Sequence, residues 1–257
     1  MSTSLLELKN VSRNFGGVTA IDGLNLDIKA GQLIGLIGPN GAGKTTLINL
    51  MTGVLRPTTG SIRLEGKDLL RLPPHRIARA GIARTYQIVQ PFPHMSVLDN
   101  VAAAALFGGG ASSFASAREA AREHLQFCGL EAVAAQSAGT LSLAGRKRLE
   151  LARGLALKPK LLLLDEVNAG LNPNELDGAI ALIRAIAARG VTILLTEHLM
   201  RLVLQVCQRI IVLHQGKLIA DTTPGEVVRD AAVISAYFGE RYAMKANHAG
   251  STTTEGA

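Results

Sequence analysis

Near its start the chain reads Gly38-Pro39-Asn40-Gly41-Ala42-Gly43-Lys44-Thr45, which meets every fixed position of the phosphate-binding pattern G-x-x-x-x-G-K-[ST]. The apolar run Leu33–Ile37 precedes this stretch, and residues 45–51 follow with helical spacing, as the pattern requires. Its glycines let successive backbone N–H groups turn inward around phosphate oxygens, while the helix start adds partial positive charge. The stretch therefore predicts a nucleotide-binding site at a junction between strand and helix.

Two side chains of this loop have individual predicted roles. Lys44 is placed to reach the β and γ phosphates, and the Thr45 hydroxyl is placed to bind Mg²⁺. The predicted nucleotide contacts are Gly38, Pro39, Asn40, Gly41, Ala42, Gly43, Lys44, Thr45 and Thr46.

Length and composition exclude several classes of protein. A chain of 257 residues can form one large domain or a domain with a subdomain. No apolar run approaches the roughly 18 residues of a membrane span, and the N-terminus lacks the basic-then-apolar order of a secretory signal. Cys128 and Cys207 show no metal-ligand spacing, which favours a reduced cytosolic compartment.

The net charge of +7 is spread thinly along the chain. One loose basic cluster contains Arg71, Arg76, Arg79 and Arg84, and a second lies at 146–148. Because neither is interleaved with aromatic residues, nucleic acid is not predicted as a partner.

The order of predicted elements indicates an α/β fold with an insertion. Alternating apolar residues predict strands in the first thirty positions, and Ser96 begins an alanine-rich helical stretch that the glycine-rich segment 108–113 interrupts. A helix then runs over 115–127, and helical character continues through 146–156. The other predicted elements are strands at 61–64, 161–164 and 191–196, a helix at 173–188 and a closing hairpin at 209–213 and 217–220.

Two adjacent carboxylates end one of these strands. The apolar run 161–164 reads as a buried parallel strand, and Asp165 and Glu166 follow it directly. Ligand-contacting groups of an open α/β sheet lie at such carboxyl ends. Asp165 is therefore predicted to hold Mg²⁺ through its water shell, and Glu166 to polarise the attacking water.

With these motifs, the chain resembles the ATPase subunits of ATP-binding cassette transporters over residues ~5–239. It carries Gln87 at the position of the Q-loop and His198 at the switch histidine, and Phe15 fits the aromatic residue that stacks on adenine. Leu141-Ser142-Leu143-Ala144-Gly145 stands where the family signature Leu-Ser-Gly-Gly-Gln lies. Taken singly, Phe15 fits a core position, and Gln87 and His198 fit surface positions; the order of all six elements favours the functional interpretation.

The resemblance implies ATP and Mg²⁺ as cofactors and assigns a role to each motif. Glu166 and His198 are the catalytic residues; Thr45, Gln87 and Asp165 contact the metal. Because family members pair head to tail, Ser142, Ala144 and Gly145 would contact ATP held by the partner subunit.

The wording of four segments is similar to the branched-chain amino acid importer branch, whose relatives also carry other small polar solutes. These segments are 15–20, 35–46, 81–87 and 233–239. Three positions depart from the family pattern: Ala144 replaces a glycine, Val167 replaces a proline, and Asn172 replaces an aspartate.

The expected fold is a P-loop α/β core with an N-terminal antiparallel β subdomain, formed by residues 1–87 and 158–240. A helical subdomain carrying the signature is expected at 88–157, and a disordered tail at 241–257. The resemblance implies a second ATPase subunit, identical or related, two transmembrane permeases and, indirectly, a periplasmic solute-binding protein. Such a complex places the chain on the cytoplasmic face of the inner membrane. Two alternatives stay open: an ATPase for lipid or lipopolysaccharide export, and a soluble cassette ATPase that acts on ribosomes or DNA.

Overall fold

The computed structural model describes residues 4–86, 90–197 and 199–238, and its strands form two sheets. The strands are β1 (Ser4–Phe15), β2 (Val18–Lys29), β3 (Leu33–Ile37), β4 (Thr59–Leu64), β5 (Lys67–Asp68), β6 (Ile82–Arg84), β7 (Leu161–Asp165), β8 (Thr192–Thr196), β9 (Arg209–His214) and β10 (Lys217–Thr222). The helices are α1 (Lys44–Met51), α2 (Pro74–Ala80), α3 (Val97–Phe107), α4 (Phe114–Phe127), α5 (Leu143–Ala156), α6 (Pro173–Ala188), α7 (Met200–Val206), α8 (Pro224–Val227) and α9 (Ala231–Phe238).

The smaller sheet has the order β2-β1-β4-β5 and is antiparallel, as expected for the N-terminal part. The larger sheet has the order β10-β9-β3-β8-β7-β6. Its strands from β9 to β6 run parallel, and β10 closes one edge as an antiparallel hairpin with β9. The α/β fold with a separate antiparallel β part is confirmed.

The four consecutive leucines of strand β7 are buried on both faces of the larger sheet. Leu162 and Leu164 pack into the core on one face of the larger sheet, and Leu161 and Leu163 pack into the core on the other face. Burial on both faces is typical of a central parallel strand and leaves no polar position in the run. The first polar side chain, Asp165, therefore appears only at the carboxyl edge.

Helices α3, α4 and α5 lie between β6 and β7 in the chain and pack against one another. They fall within the segment 88–157 that the sequence assigns to an inserted helical subdomain; that division stays a prediction. Helices α2, α7, α8 and α9 and strands β5 and β6 were not predicted at all. Among helices of the described ranges, none is both long and apolar enough to span a bilayer. The predicted tail, 241–257, lies outside the described residues.

Candidate functional site

The loop between β3 and α1 has a backbone that only glycine tolerates at three points. Gly38, Gly41 and Gly43 have φ of 153°, 79° and 107°. A Cβ on Gly38 would lie 2.2 Å from the Leu213 carbonyl oxygen, and one on Gly43 would lie 2.6 Å from that of Ala20. The glycines therefore let the loop turn tightly against neighbouring strands before α1 begins at Lys44.

Lys44 folds back over this loop. Its Nζ donates hydrogen bonds to the carbonyl oxygens of Gly38 at 2.6 Å and Pro39 at 3.1 Å. Burial lowers the Lys44 pKa, and the nearby carboxylates of Glu166 and Asp165 oppose that shift. The loop lysine and both predicted carboxylates thus share one electrostatic environment.

Phe15 is not a core residue, because 43% of its surface is exposed at the end of β1. Arg13 covers one face of its ring, with Cζ 4.5 Å from the centroid. The strand opposite, β2, passes close to the phosphate loop, since Gly216 joins the two: its N–H donates to Ala42 and its carbonyl accepts from Asp22. The exposed aromatic ring therefore lies on a β1–β2 hairpin that is hydrogen-bonded, through Gly216, to the phosphate loop.

Asp165 is held at both carboxylate oxygens. Its Oδ1 accepts a hydrogen bond from Thr196 Oγ1 at 2.8 Å, and its Oδ2 pairs with Arg84 Nη2 at 2.6 Å. Thr196 ends β8, the strand next to β7, and Arg84 ends β6 on the other side. The carboxylate is therefore fixed by the two strands that flank its own.

Glu166 leaves the strand with a left-handed backbone, φ 49°, which is unusual for a residue other than glycine. Its N–H donates to the Thr196 carbonyl at 3.0 Å, and its own carbonyl accepts from the Ala169 N–H at 3.2 Å. Lys147 Nζ lies 3.4 Å from the same carbonyl oxygen. These contacts hold the chain in a turn that redirects it directly after Asp165.

A buried polar cluster lies behind this turn. Glu197 Oε1 accepts hydrogen bonds from Asn168 N at 3.1 Å and Asn168 Nδ2 at 2.8 Å. Burial raises the Glu197 pKa, and burial lowers the pKa of neighbouring Lys147. The cluster connects the segment after Glu166 to the end of β8 and to helix α5.

The predicted signature forms the start of α5. Ser142 is the N-cap of this helix, and its Oγ accepts from the Gly145 N–H at 3.2 Å. Ser142 is exposed, whereas Ala144 and Gly145 are half-buried. An exposed hydroxyl at a helix start is chemically suited to bind phosphate oxygens.

The other two residues that depart from the family pattern have defined structural positions. Asn172 is the N-cap of α6: its Oδ1 accepts from the Glu175 N–H, and its own N–H donates to Glu175 Oε2, both at 3.0 Å. Val167 is buried in the core. Asn172 therefore caps a helix, and Val167 packs in the core, on the segment that follows the turn.

A cavity of about 1020 Å³ joins the predicted chemical groups to an apolar region. Thr45, Asp165 and Glu166 line one part of it. Further lining residues include exposed Val54, Phe92 and Phe107. The predicted sites Gln87 and His198 lie outside the described residues.

The sequence interpretation gave Arg84 no role in the site, although it placed this residue in a loose basic cluster and in the family-like segment 81–87. The local signal was its position next to the predicted Q-loop; its partner Asp165 is 81 residues away. It also missed Lys147, Asn168 and Glu197, because nothing in their spacing indicates that they meet.

Both cysteines are predicted to resist alkylation while the protein is folded. Cys128 and Cys207 are buried free thiols, and burial raises the pKa of each to about 12. At pH 8 only about 10⁻⁴ of each thiol is ionised, so iodoacetamide should leave both unmodified until denaturant is added. Mass spectrometry of intact protein before and after unfolding measures this; rapid modification of the native chain would contradict it.

The chain is similar over most of its length to ATP-binding proteins of ABC transporters. The family model described as ABC transporter matches residues 21–169. The high-affinity branched-chain amino acid transport ATP-binding protein BraF of Pseudomonas aeruginosa is 41% identical over 254 residues, covering 93% of this chain and 100% of BraF. LivG of Escherichia coli K12, which bears the same description, is 40% identical over 256 residues, with the same coverage. The lipopolysaccharide export system ATP-binding protein LptB of Escherichia coli K12 is 34% identical over 239 residues, covering 93% of this chain and 99% of LptB.

Solved structures agree with this assignment. The ADP conformation of MJ1267, an ATP-binding cassette of an ABC transporter, superposes with a TM-score of 0.82 at 31% identity, covering 92% of this chain and 99% of that one. The dimeric post-hydrolysis state of the cassette MJ0796, bound to ADP and Pi, gives a TM-score of 0.75 at 25% identity, covering 85% of this chain and 98% of that one.

Proposed function

The chain belongs to the ABC transporter family as an ATP-hydrolysing subunit, and we propose that it powers import of branched-chain amino acids or a related small polar solute. The greater identity to BraF and LivG than to LptB supports import over lipopolysaccharide export. The observation that carries the proposal is that Thr45, Asp165 and Glu166 line one cavity, while Lys44 lies close enough to both carboxylates for their charges to act on its pKa.

The oxygen-bearing side chains of Thr45 and Asp165 are of the kind that bind Mg²⁺. Mg²⁺ is usually held by one or two carboxylates together with substrate phosphates, and retains several waters. Thr45 and Asp165, a hydroxyl and a carboxylate residue, both line the cavity. Within the described residues there is no group of three or more His, Cys, Asp and Glu side chains that forms a metal cage. When bound, the metal neutralises charge on the phosphates.

We assign the remaining steps to the chain's own side chains. The backbone N–H groups of the loop from Gly38 to Gly43 hold phosphate oxygens, and Lys44 neutralises their charge. Glu166, which lines the cavity, accepts a proton from the attacking water. Gln87 and His198 keep the roles that family resemblance implies, contacts to the metal and to the γ-phosphate.

We also propose the assembly in which these groups work. Two ATPase subunits, identical or related, pair so that Ser142, Ala144 and Gly145 of each close over ATP held by the other. Two transmembrane permeases and a periplasmic solute-binding protein complete the importer, which places this chain on the cytoplasmic face of the inner membrane.

The exposed apolar residues Val54, Phe92 and Phe107 are proposed to contact a cytoplasmic helix of the permease. Asn100 supports Phe92 by accepting from its N–H at 2.9 Å and donating to its carbonyl at 3.1 Å. The ring nevertheless stays 51% exposed, over the Arg153 guanidinium. An exposed aromatic residue with a fixed backbone, lining the same cavity as the predicted nucleotide-binding groups, is suited to couple the permease to the nucleotide site.

Crosslinking tests this assembly. Cysteine placed at Phe92 or His94 should link to a membrane subunit in the intact complex, because Phe92 lines the cavity and His94 is an exposed position two residues further along. Val228→Cys is the matched control: it is 48% exposed, and its neighbour α8 packs against β9 and β10 at the opposite edge of the sheet. Absence of any link from 92 and 94, or equal linking from 228, would contradict the proposed docking surface.

Phe15→Ala is expected to raise the KM for ATP several-fold and to leave kcat little changed, since adenine stacking is remote from the breaking bond. Because Phe15 is exposed, Tm should change little. Val18→Ala, at the paired position of β2, controls for disturbance of the hairpin. ATPase rates of the assembled transporter, with thermal unfolding of each variant, decide the matter; an unchanged KM with a lowered Tm would refute adenine stacking.

A further inference from the structure

Arg84 joins three parts of the site. Its Nη2 donates to Asp165 Oδ2 and its Nη1 donates to Asn49 Oδ1, each at 2.6 Å. The guanidinium Cζ also lies 4.8 Å from the centroid of the Tyr86 ring. The side chain is only 10% exposed, so these contacts are made away from bulk solvent.

Asn49 lies on α1, one helical turn after Thr45. Residues four apart in a helix project from the same face, so Arg84 bonds the face of α1 that carries Thr45. Thr45, Arg84 and Asp165 all line the cavity described above. The guanidinium therefore bridges the helix that carries one proposed metal ligand to the carboxylate that is the other.

Stability alone does not account for such a pair. Burying an arginine and a carboxylate costs desolvation free energy that their attraction often fails to recover. The forked guanidinium does supply fixed geometry, because two of its nitrogens bond to two different elements at once. Together with Thr196 on Oδ1, Arg84 sets the orientation of the Asp165 carboxylate.

We propose that Arg84 is a positioning residue that fixes Asp165 relative to Thr45, so that the site is preorganised for Mg²⁺. The inference rests on the proposed function, since it assumes that these two residues hold the metal. Loss of a residue that orients a metal ligand typically lowers metal affinity about 10–100-fold.

The test is Mg²⁺-dependent binding of a non-hydrolysable fluorescent ATP analogue to the full chain. We expect Arg84→Lys and Arg84→Ala each to raise the half-saturating Mg²⁺ concentration about tenfold, while binding without Mg²⁺ changes little. Lysine at this position should not restore the normal Mg²⁺ requirement, because it keeps the positive charge but lacks the forked guanidinium. Arg209→Lys is the matched control: Arg209 pairs with both carboxylate oxygens of Asp221, at 2.6 Å each, on the β9–β10 hairpin. It should leave the Mg²⁺ requirement unchanged.

The outcomes separate positioning from competition. If the guanidinium instead competes with the metal for Asp165, Arg84→Ala will lower the half-saturating Mg²⁺ concentration, which overturns the proposal. An unchanged Mg²⁺ requirement in both variants also overturns it. Asn49→Ala removes only the acceptor on α1 and should shift the requirement in the same direction as Arg84→Lys; this variant carries the test if Arg84→Ala does not fold.

Two further variants distinguish failure of this inference from failure of the proposed function. Thr45→Ala and Asp165→Asn should raise the Mg²⁺ requirement whatever Arg84 does. A shift in both, with none in Arg84→Lys, refutes only the role of Arg84. No shift in either would refute the assignment of the metal ligands themselves.

Discussion

Replacing Glu166 with glutamine should stop ATP turnover and leave ATP bound. The substitution preserves side-chain size but removes the group that accepts a proton from water, so kcat should fall about 10²–10⁴-fold, equivalent to roughly 3–5 kcal/mol in the barrier. The measurement is ATPase rate and nucleotide affinity of the assembled transporter.

The matched control is Glu65→Gln, which alters an exposed carboxylate that pairs with Lys160 and does not line the cavity. It should turn over ATP at the unaltered rate. Near-normal turnover in Glu166→Gln would refute the assignment of Glu166, and loss of ATP binding would show that the residue serves binding as well.

Lys44→Ala should produce the opposite separation, with the main loss in ATP affinity. A hydrogen bond to a charged group contributes about 1.5–3 kcal/mol, which predicts a rise in Kd of roughly 10–150-fold. Equilibrium binding of a fluorescent ATP analogue measures it. Lys44→Arg tests whether positive charge alone is sufficient. It keeps the charge, but on a bulkier group that the close contacts to Gly38 and Pro39 do not accommodate well. Unchanged affinity in Lys44→Ala would mean that phosphate is not held by this loop.

The elements with a local signal could be predicted from the sequence. The phosphate loop has fixed residue types because Gly38 and Gly43 combine positive φ with close neighbours that leave no room for a side chain. The leucine run of β7 is continuous because both of its faces are buried. Helix α6 was predicted at its observed bounds, Pro173–Ala188, since proline and a capping residue begin it.

Helix α2 was missed although it begins at Pro74 and is followed by Gly81, but strand β6 lacks such a signal. Strand β6 has three residues and forms by pairing with β7, from which it is separated by three helices. The bridge from Arg84 to Asn49 and Asp165 depends on that pairing, so its place beside the predicted Q-loop does not reveal either partner. Long-range contacts therefore supplied the part of the site that motif recognition missed.

The proposed coupling follows from the same geometry. The cavity is lined both by Asp165 and Glu166 and by the exposed Phe92 and Phe107. Arg84 and Tyr86 also line it, and they stack on each other. Residues proposed to contact nucleotide and residues of the surface proposed for the permease thus line the same cavity.

The central claim is that ATP hydrolysis by this chain drives import of the solute. Its most direct test is uptake of labelled leucine by proteoliposomes that contain the assembled transporter, enclose ATP and Mg²⁺, and are supplied outside with the solute-binding protein. The account predicts uptake that requires enclosed ATP and is abolished by Glu166→Gln. Uptake that persists at the full rate in Glu166→Gln, or that does not depend on ATP, would contradict it.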